Sequence, residues 1–141
     1  MLESALGRRA WLGSRRRRSV GGSVVLTNVP QDRVLLMQKR GHWALPGCSV
    51  DGTSHPERLV RALLAELIDQ CVDVDLVDVV VDSRRCHLDL LFVGVGDDRR
   101  AAAPVSDQVA WFARSHLDDL QLSASTRASL MVPRIVPYLP I

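Results

Sequence analysis

A chain of 141 residues with 47% hydrophobic and 24% charged residues has the length and composition of one globular domain, which excludes a disordered or low-complexity chain over most of its length. Eighteen basic and sixteen acidic residues leave a formal charge of +2, too even to make nucleic acid the default partner. No apolar run reaches the ~18 residues of a membrane span, and the arginines near Met1 follow the apolar residues instead of preceding them, the reverse of a secretory signal.

In chain order, residues 1–20 read as an arginine-rich arm, with Arg8, Arg9 and the run Arg15 to Arg18 among Gly and Ser. Such an arm is mobile or loosely docked, or it meets an anion or a second copy. Residues 21–141 read as one domain. Ser23 to Leu26 predicts a strand, Asn28 to Asp32 a turn, and Arg33 to Lys39 a second strand, together a hairpin. Gly41 to Gly47 is a turn with a short extended piece, followed by a polar loop. Pro56 opens a helix capped by Ser54 or His55. In that helix Leu59, Val60, Leu63, Leu64, Leu67 and Ile68 form one apolar stripe at helical period. Val72 to Val81 and His87 to Val95 predict two strands joined by the polar turn Asp82 to Arg85, and Gln108 to Phe112 a shorter one. Ser115 to Leu120 and Ser125 to Val136 predict closing helices in a tail that Pro133, Pro137 and Pro140 make irregular. The order gives a mixed sheet with helices on its faces. Three cysteines without CxxC spacing argue against a disulfide framework or a zinc site and fit a reducing cytoplasm, the location expected.

Gly41-His42-Trp43-Ala44-Leu45-Pro46-Gly47, a loop, then Pro56 to Leu67 resembles the core of a Nudix hydrolase. Arg33 to Arg40 looks like that family's second strand, and Asp107 to Phe112 with Leu117 to Leu120 like its late E-V-x-W-F…D-E-L segment. The resemblance spans roughly residues 20–130 and implies a Nudix-type α/β/α sandwich around a mixed sheet. The family signature, G-x5-E-x7-R-E-U-x-E-E-x-G-U with U aliphatic, implies helix glutamates that bind Mg²⁺ to neutralise a pyrophosphate and activate water. Here that chemistry does not carry over. The ungapped register sets Cys48 at the first glycine, Ser54 at the first glutamate, Ala62 at the arginine, Leu63 and Leu67 at two further glutamates, and Asp69 at the later glycine. Only Glu66 matches a glutamate. A register shifted by three residues, starting at Glu57, restores three carboxylates and stays open as an alternative.

Leu63 and Leu67 therefore present aliphatic groups where the family presents charge. Either they extend the buried stripe, or the pocket has become apolar and suits an uncharged organic ligand. Glu66 and Asp69, three apart, are weak metal candidates, or a solvated acidic edge beside Arg58 and Arg61. His42, His55 and His87 border the pocket in the fold the resemblance implies. His87 alternates with Asp89 on one strand face. A histidine with Glu66 or Asp89 can run acid–base chemistry without metal. Arg40 stands where the family meets an anionic substrate, Trp43 follows His42 at the edge of the glycine loop, and Cys48 has no activating base visible beside it.

The candidate catalytic residues are thus Glu66, His55, His42 and His87, and the candidate substrate contacts are Arg40, Trp43, Leu63, Leu67 and Asp89. Three functions compete. One is a repurposed enzyme that needs no metal or cofactor and cyclises or isomerises a small, largely apolar molecule by acid–base chemistry, as in a biosynthetic step. The second is a non-catalytic module binding a ligand or a protein. The third is a residual Mg²⁺-dependent hydrolase of a nucleoside-diphosphate compound. The expected partner is a small molecule, with no membrane; many relatives look dimeric, which makes a homodimer possible.

Overall fold

The computed structural model describes residues 18–99 and 108–141. The expected arm up to residue 17 and the start of the late motif at Asp107 lie outside the described residues.

Four strands open the chain: β1 (Ser19–Asn28), β2 (Arg33–Lys39), β3 (His42–Ala44) and β4 (Gly47–Ser49). Helix α1 (Pro56–Ile68) follows, then β5 (Val74–Asp82), β6 (His87–Gly96) and β7 (Val109–Ala113). Two short helices, α2 (Arg114–Leu117) and α3 (Ala124–Leu130), and a 3₁₀ turn at Val136–Tyr138 close the chain. The strands make one mixed sheet in the order β3-β2-β1-β6-β5, with β4 also paired to β1 and β7 to β2.

β1 is longer than its apolar run predicts. It begins at Ser19, inside the expected arm, because ten consecutive residues pair in parallel with β6, from Ser19↔His87 to Asn28↔Gly96. Tertiary pairing recruits the Ser-Val-Gly-Gly-Ser stretch, which on propensity alone is a poor strand. Gly22 has a packing reason to be glycine: a Cβ there would stand 3.1 Å from Val60 Cγ2, so its absence lets α1 settle onto the strand. The expected hairpin forms, with Thr27 opposite Val34. Its turn is held by buried Asn28, whose Oδ1 accepts from the Asp32 and Arg33 amides and whose Nδ2 donates to Asp32 and Asp98.

Each face of the sheet has its own core. Val24, Leu26, Leu35 and Phe92 meet Val60, Leu64 and Ile68 of α1 on one face. Val25, Val34, Leu36, Leu91 and Val93 meet Ile135 and Leu139 on the other. The helix obeys its periodicity, burying Val60, Leu64 and Ile68. Pro56 starts it, His55 caps it through the backbone alone, and Asp69 ends it in the left-handed region at φ 55°, its amide donating to the Ala65 carbonyl. Buried Gln70 then ties the helix exit to the end of β6, donating to the Asp97 carbonyl at 2.7 Å and accepting from its amide at 2.8 Å. At the C-terminus the predicted run from Ser125 to Val136 divides into α3 and the 3₁₀ turn, with Pro133 between them. Among the described residues no helix is long and apolar enough to cross a membrane.

Candidate functional site

Strand alternation and the parallel register together build the site. On β6, Phe92 points toward α1, so His87, Asp89, Leu91 and Val93 face the other way. On β1, Ser19, Gly21 and Ser23 share that second face, because Ser19 pairs with His87, Gly21 with Asp89 and Ser23 with Leu91. The Ser23 hydroxyl donates to both Asp89 carboxylate oxygens, at 2.9 and 3.2 Å. Ser19 Oγ lies 2.7 Å from His87 Nδ1. Gly21 separates the two pairs. A Cβ on it would fall 3.1 Å from Asp89 Oδ1 and 3.2–3.3 Å from the His87 ring, so the missing side chain lets carboxyl and imidazole draw together.

These four side chains line a cleft of about 700 Å³. Val80 and Val81 of β5 give it an apolar side, and Ala124 and Ala128 of α3 form the opposing wall with Ser125 and Ser129. Arg84 and Arg85, from the β5–β6 turn, also line it. Buried Thr126 fixes the α3 wall: its Oγ1 accepts the Leu45 amide at 3.0 Å. Ser123 caps that helix, accepting from the Thr126 amide. Thr126→Val is expected to strand the buried Leu45 amide, cost about 1–3 kcal/mol, and loosen the wall. Urea unfolding reads the first effect. Amide exchange at α3, faster than in wild type, reads the second.

Burial raises the Asp89 carboxyl above its ordinary range; the Ser23 hydrogen bond and the neighbouring His87 oppose that rise without cancelling it. A carboxyl of raised pKa in a cleft beside an imidazole can take or give a proton. Cys48 lies on the other face, against the α1 core. Burial first, and the charge of Asp89 second, push its thiol upward despite Lys39, which keeps it protonated and a poor nucleophile.

Of the residues singled out in the sequence, the structure brings His87 and Asp89 together and sets the others elsewhere. His55 and Glu66 are exposed on α1, and Asp69 is exposed at its end. His42 is exposed on β3, with Nδ1 3.3 Å from the carbonyl of Arg40, itself exposed. Trp43 is half-buried, packed edge-on against Phe112 with ring centroids 4.8 Å apart. Leu67 packs against the α1 core and Leu63 is half-buried, so Leu67 extends the buried stripe and neither leucine lines the cleft. The sequence reading did not single out Ser19, Ser23, Arg84 and Arg85, which line the cleft. The spacing Ser19-x-Gly21-x-Ser23 was the available signal, one strand face of small and polar residues.

No family model matches the chain, and no curated protein matches it. Solved structures do. A mutT/nudix family protein from Listeria innocua superposes with a TM-score of 0.68 at 19% identity, covering 82% of this chain and 91% of that one. The Nudix domain of Shewanella oneidensis NrtR, solved with ADP ribose, gives 0.65 at 21% identity over 84% and 87%. A MutT from work on the Aliivibrio salmonicida and Vibrio cholerae proteins gives 0.66 at 14% identity over 80% and 92%. This chain has the Nudix fold.

Within the Nudix fold, the ungapped register of the signature agrees with the backbone. It sets the signature's later glycine at Asp69, and Asp69 is the left-handed residue that ends α1, the position glycine fills most readily. The signature implies Mg²⁺ held by glutamates of this helix. Among the described residues no three His, Cys, Asp or Glu side chains come close enough to hold a metal ion. Hard cations need several oxygen donors, and the α1 positions in question carry Leu63, exposed Glu66 and Leu67.

Proposed function

We propose that this Nudix-fold chain is a metal-independent enzyme in which Asp89 acts as general acid or base on a small, largely apolar organic molecule, with cyclisation or isomerisation as the reaction class. The carrying observation is a carboxyl of raised pKa, oriented by Ser23 and neighboured by His87, in a cleft with valine and alanine walls. The metal-binding glutamates of the family signature have been lost, on this reading, and the working carboxylate has moved to the opposite face of the sheet. The exposed Glu66, His55 and His42 take no part in it.

The test uses 5-nitrobenzisoxazole, a small apolar probe whose ring opens when a base removes its carbon-bound proton. The expected result is saturable opening that EDTA leaves unchanged. The rate should rise with pH through an apparent pKa above the ordinary carboxylate range, because the ionised form is the base and folding raises that pKa. Asp89→Asn should lower it about 100-fold or more, the usual contribution of a positioned base. A rate equal in Asp89→Asn, or lost on adding EDTA, overturns the proposal.

A second reading, a non-catalytic binding module, draws on the ADP ribose held by the NrtR Nudix domain. Calorimetric binding of ADP ribose without turnover of either compound would favour it over the enzyme. Mg²⁺-dependent phosphate release from ADP ribose would instead restore a hydrolase.

A further inference from the structure

Ser19 opens β1 as an exposed residue lining the cleft, and its Oγ stands 2.7 Å from His87 Nδ1. Acid–base chemistry at Asp89 makes no use of this contact. Nδ1 accepts the Ser19 hydroxyl proton only when the ring proton sits on Nε2. His87 Cε1 and Nε2 and Asp89 Oδ1 all lie 3.1–3.3 Å from the point where a Gly21 Cβ would be, so the carboxyl neighbours the ring. Ser19 and His87 thus stand as hydroxyl and base on the cleft floor, with Asp89 near the ring, the pairing that activates a serine on unrelated folds. Arg84 and Arg85 line the same cleft, Arg85 paired with Asp82 at 3.8 Å.

We propose that Ser19 is a nucleophile activated by His87 and that the cleft hydrolyses small carboxylic esters by acyl transfer. Ser19 Oγ adds to the ester carbonyl carbon as its proton passes to His87 Nδ1. The bond to the alcohol oxygen then breaks, and that proton leaves with the alcohol. Water, deprotonated by the same nitrogen, attacks the acyl-serine; the carboxylic acid departs and the serine hydroxyl is restored. Ester and water give acid and alcohol, with no redox step. The activity shares the cleft of the proposed function but depends on a different atom.

A fluorophosphonate probe tests it on the full chain, forming an Oγ–phosphorus bond with loss of fluoride and the hydroxyl proton. Trypsin cleaves after Arg18 and Arg33 and releases one peptide that holds both Ser19, as its first residue, and Ser23; its fragment ions in tandem mass spectrometry place the adduct on one or the other. The expected result is a single adduct on Ser19, absent in Ser19→Ala, and labelling about 100-fold slower in His87→Gln. p-Nitrophenyl acetate should show the same dependence on both residues. Melting curves establish that the variants are folded, and Ser19→Cys, labelled with iodoacetamide faster than Cys71, gives a second measure of activation by His87. An adduct elsewhere, no adduct, or equal rates in wild type and His87→Gln overturns the proposal. That failure would leave the Asp89-dependent opening of nitrobenzisoxazole intact, so the two readings fail separately.

Discussion

Asp89→Asn should raise the melting temperature at pH 7 by roughly 2–5 °C while removing base-dependent turnover. The two effects have one cause. Folding moves the carboxyl out of water and raises its pKa, so the fold favours the protonated form. The favourable contribution is complete below the unfolded value of 3.8 and is lost as pH rises through the raised folded value. At pH 7 the wild type holds a carboxylate where a neutral group is preferred. Asparagine keeps an acceptor for the Ser23 hydroxyl without the charge. The groups facing Asp89 are Ser23 on β1, His87 on β6, and Asp82, Arg84 and Arg85 around the cleft, and the opposition of His87 is already contained in the direction of the shift. The advantage of the variant should shrink as pH falls toward 3.8. Calorimetric scans from pH 4 to pH 8 read this directly. A variant less stable than wild type at pH 7, or an advantage that grows on acidification, contradicts the account. A residue that costs stability and supplies reactivity is what a working site leads one to expect.

Leu64→Ala should cost about 2–5 kcal/mol, a large share of the ~5–15 kcal/mol that holds an ordinary domain folded. Leu64 is fully buried among Val24, Leu26, Leu35, Val60 and Phe92, at the centre of the core between α1 and the sheet. Truncation loses the transfer energy of the removed methyls and leaves a cavity between rigid strands. Glu66→Gln, two residues along on the exposed side, should stay within ~0.5 kcal/mol. Urea midpoints of the pair measure the helix's two sides against each other. Equal costs would mean that α1 is turned from the orientation described.

The fold was legible where the chain's own periodicity carried it. The stripe from Leu59 to Ile68 is local, and so are the Asn28–Asp32 turn and the alternation that sets His87 and Asp89 on one face. What stayed hidden is non-local. The beginning of β1 is small and polar, and only pairing with β6 makes it a strand. The sequence reading left Leu63 and Leu67 either in the buried stripe or at an apolar pocket next to the signature. The cleft instead lies across the sheet, closed by α3, which follows β6 by about thirty residues in the chain. Nothing in a leucine pair tells which side of the sheet keeps the open space. Ser19 and Ser23 carry no motif, and their relevance appears only when their hydrogen-bond partners, 68 and 66 residues away, are known.

The parallel seam between β1 and β6 also has a kinetic meaning. A parallel pair cannot close through a tight turn, and this one waits for the helix and the β5–β6 hairpin in between, so its loop-closure entropy falls late in folding. Both hydrogen-bonded pairs of the cleft floor, Ser19–His87 and Ser23–Asp89, cross that seam. The two pairs therefore depend on the contact that completes the sheet, between strands far apart in the chain.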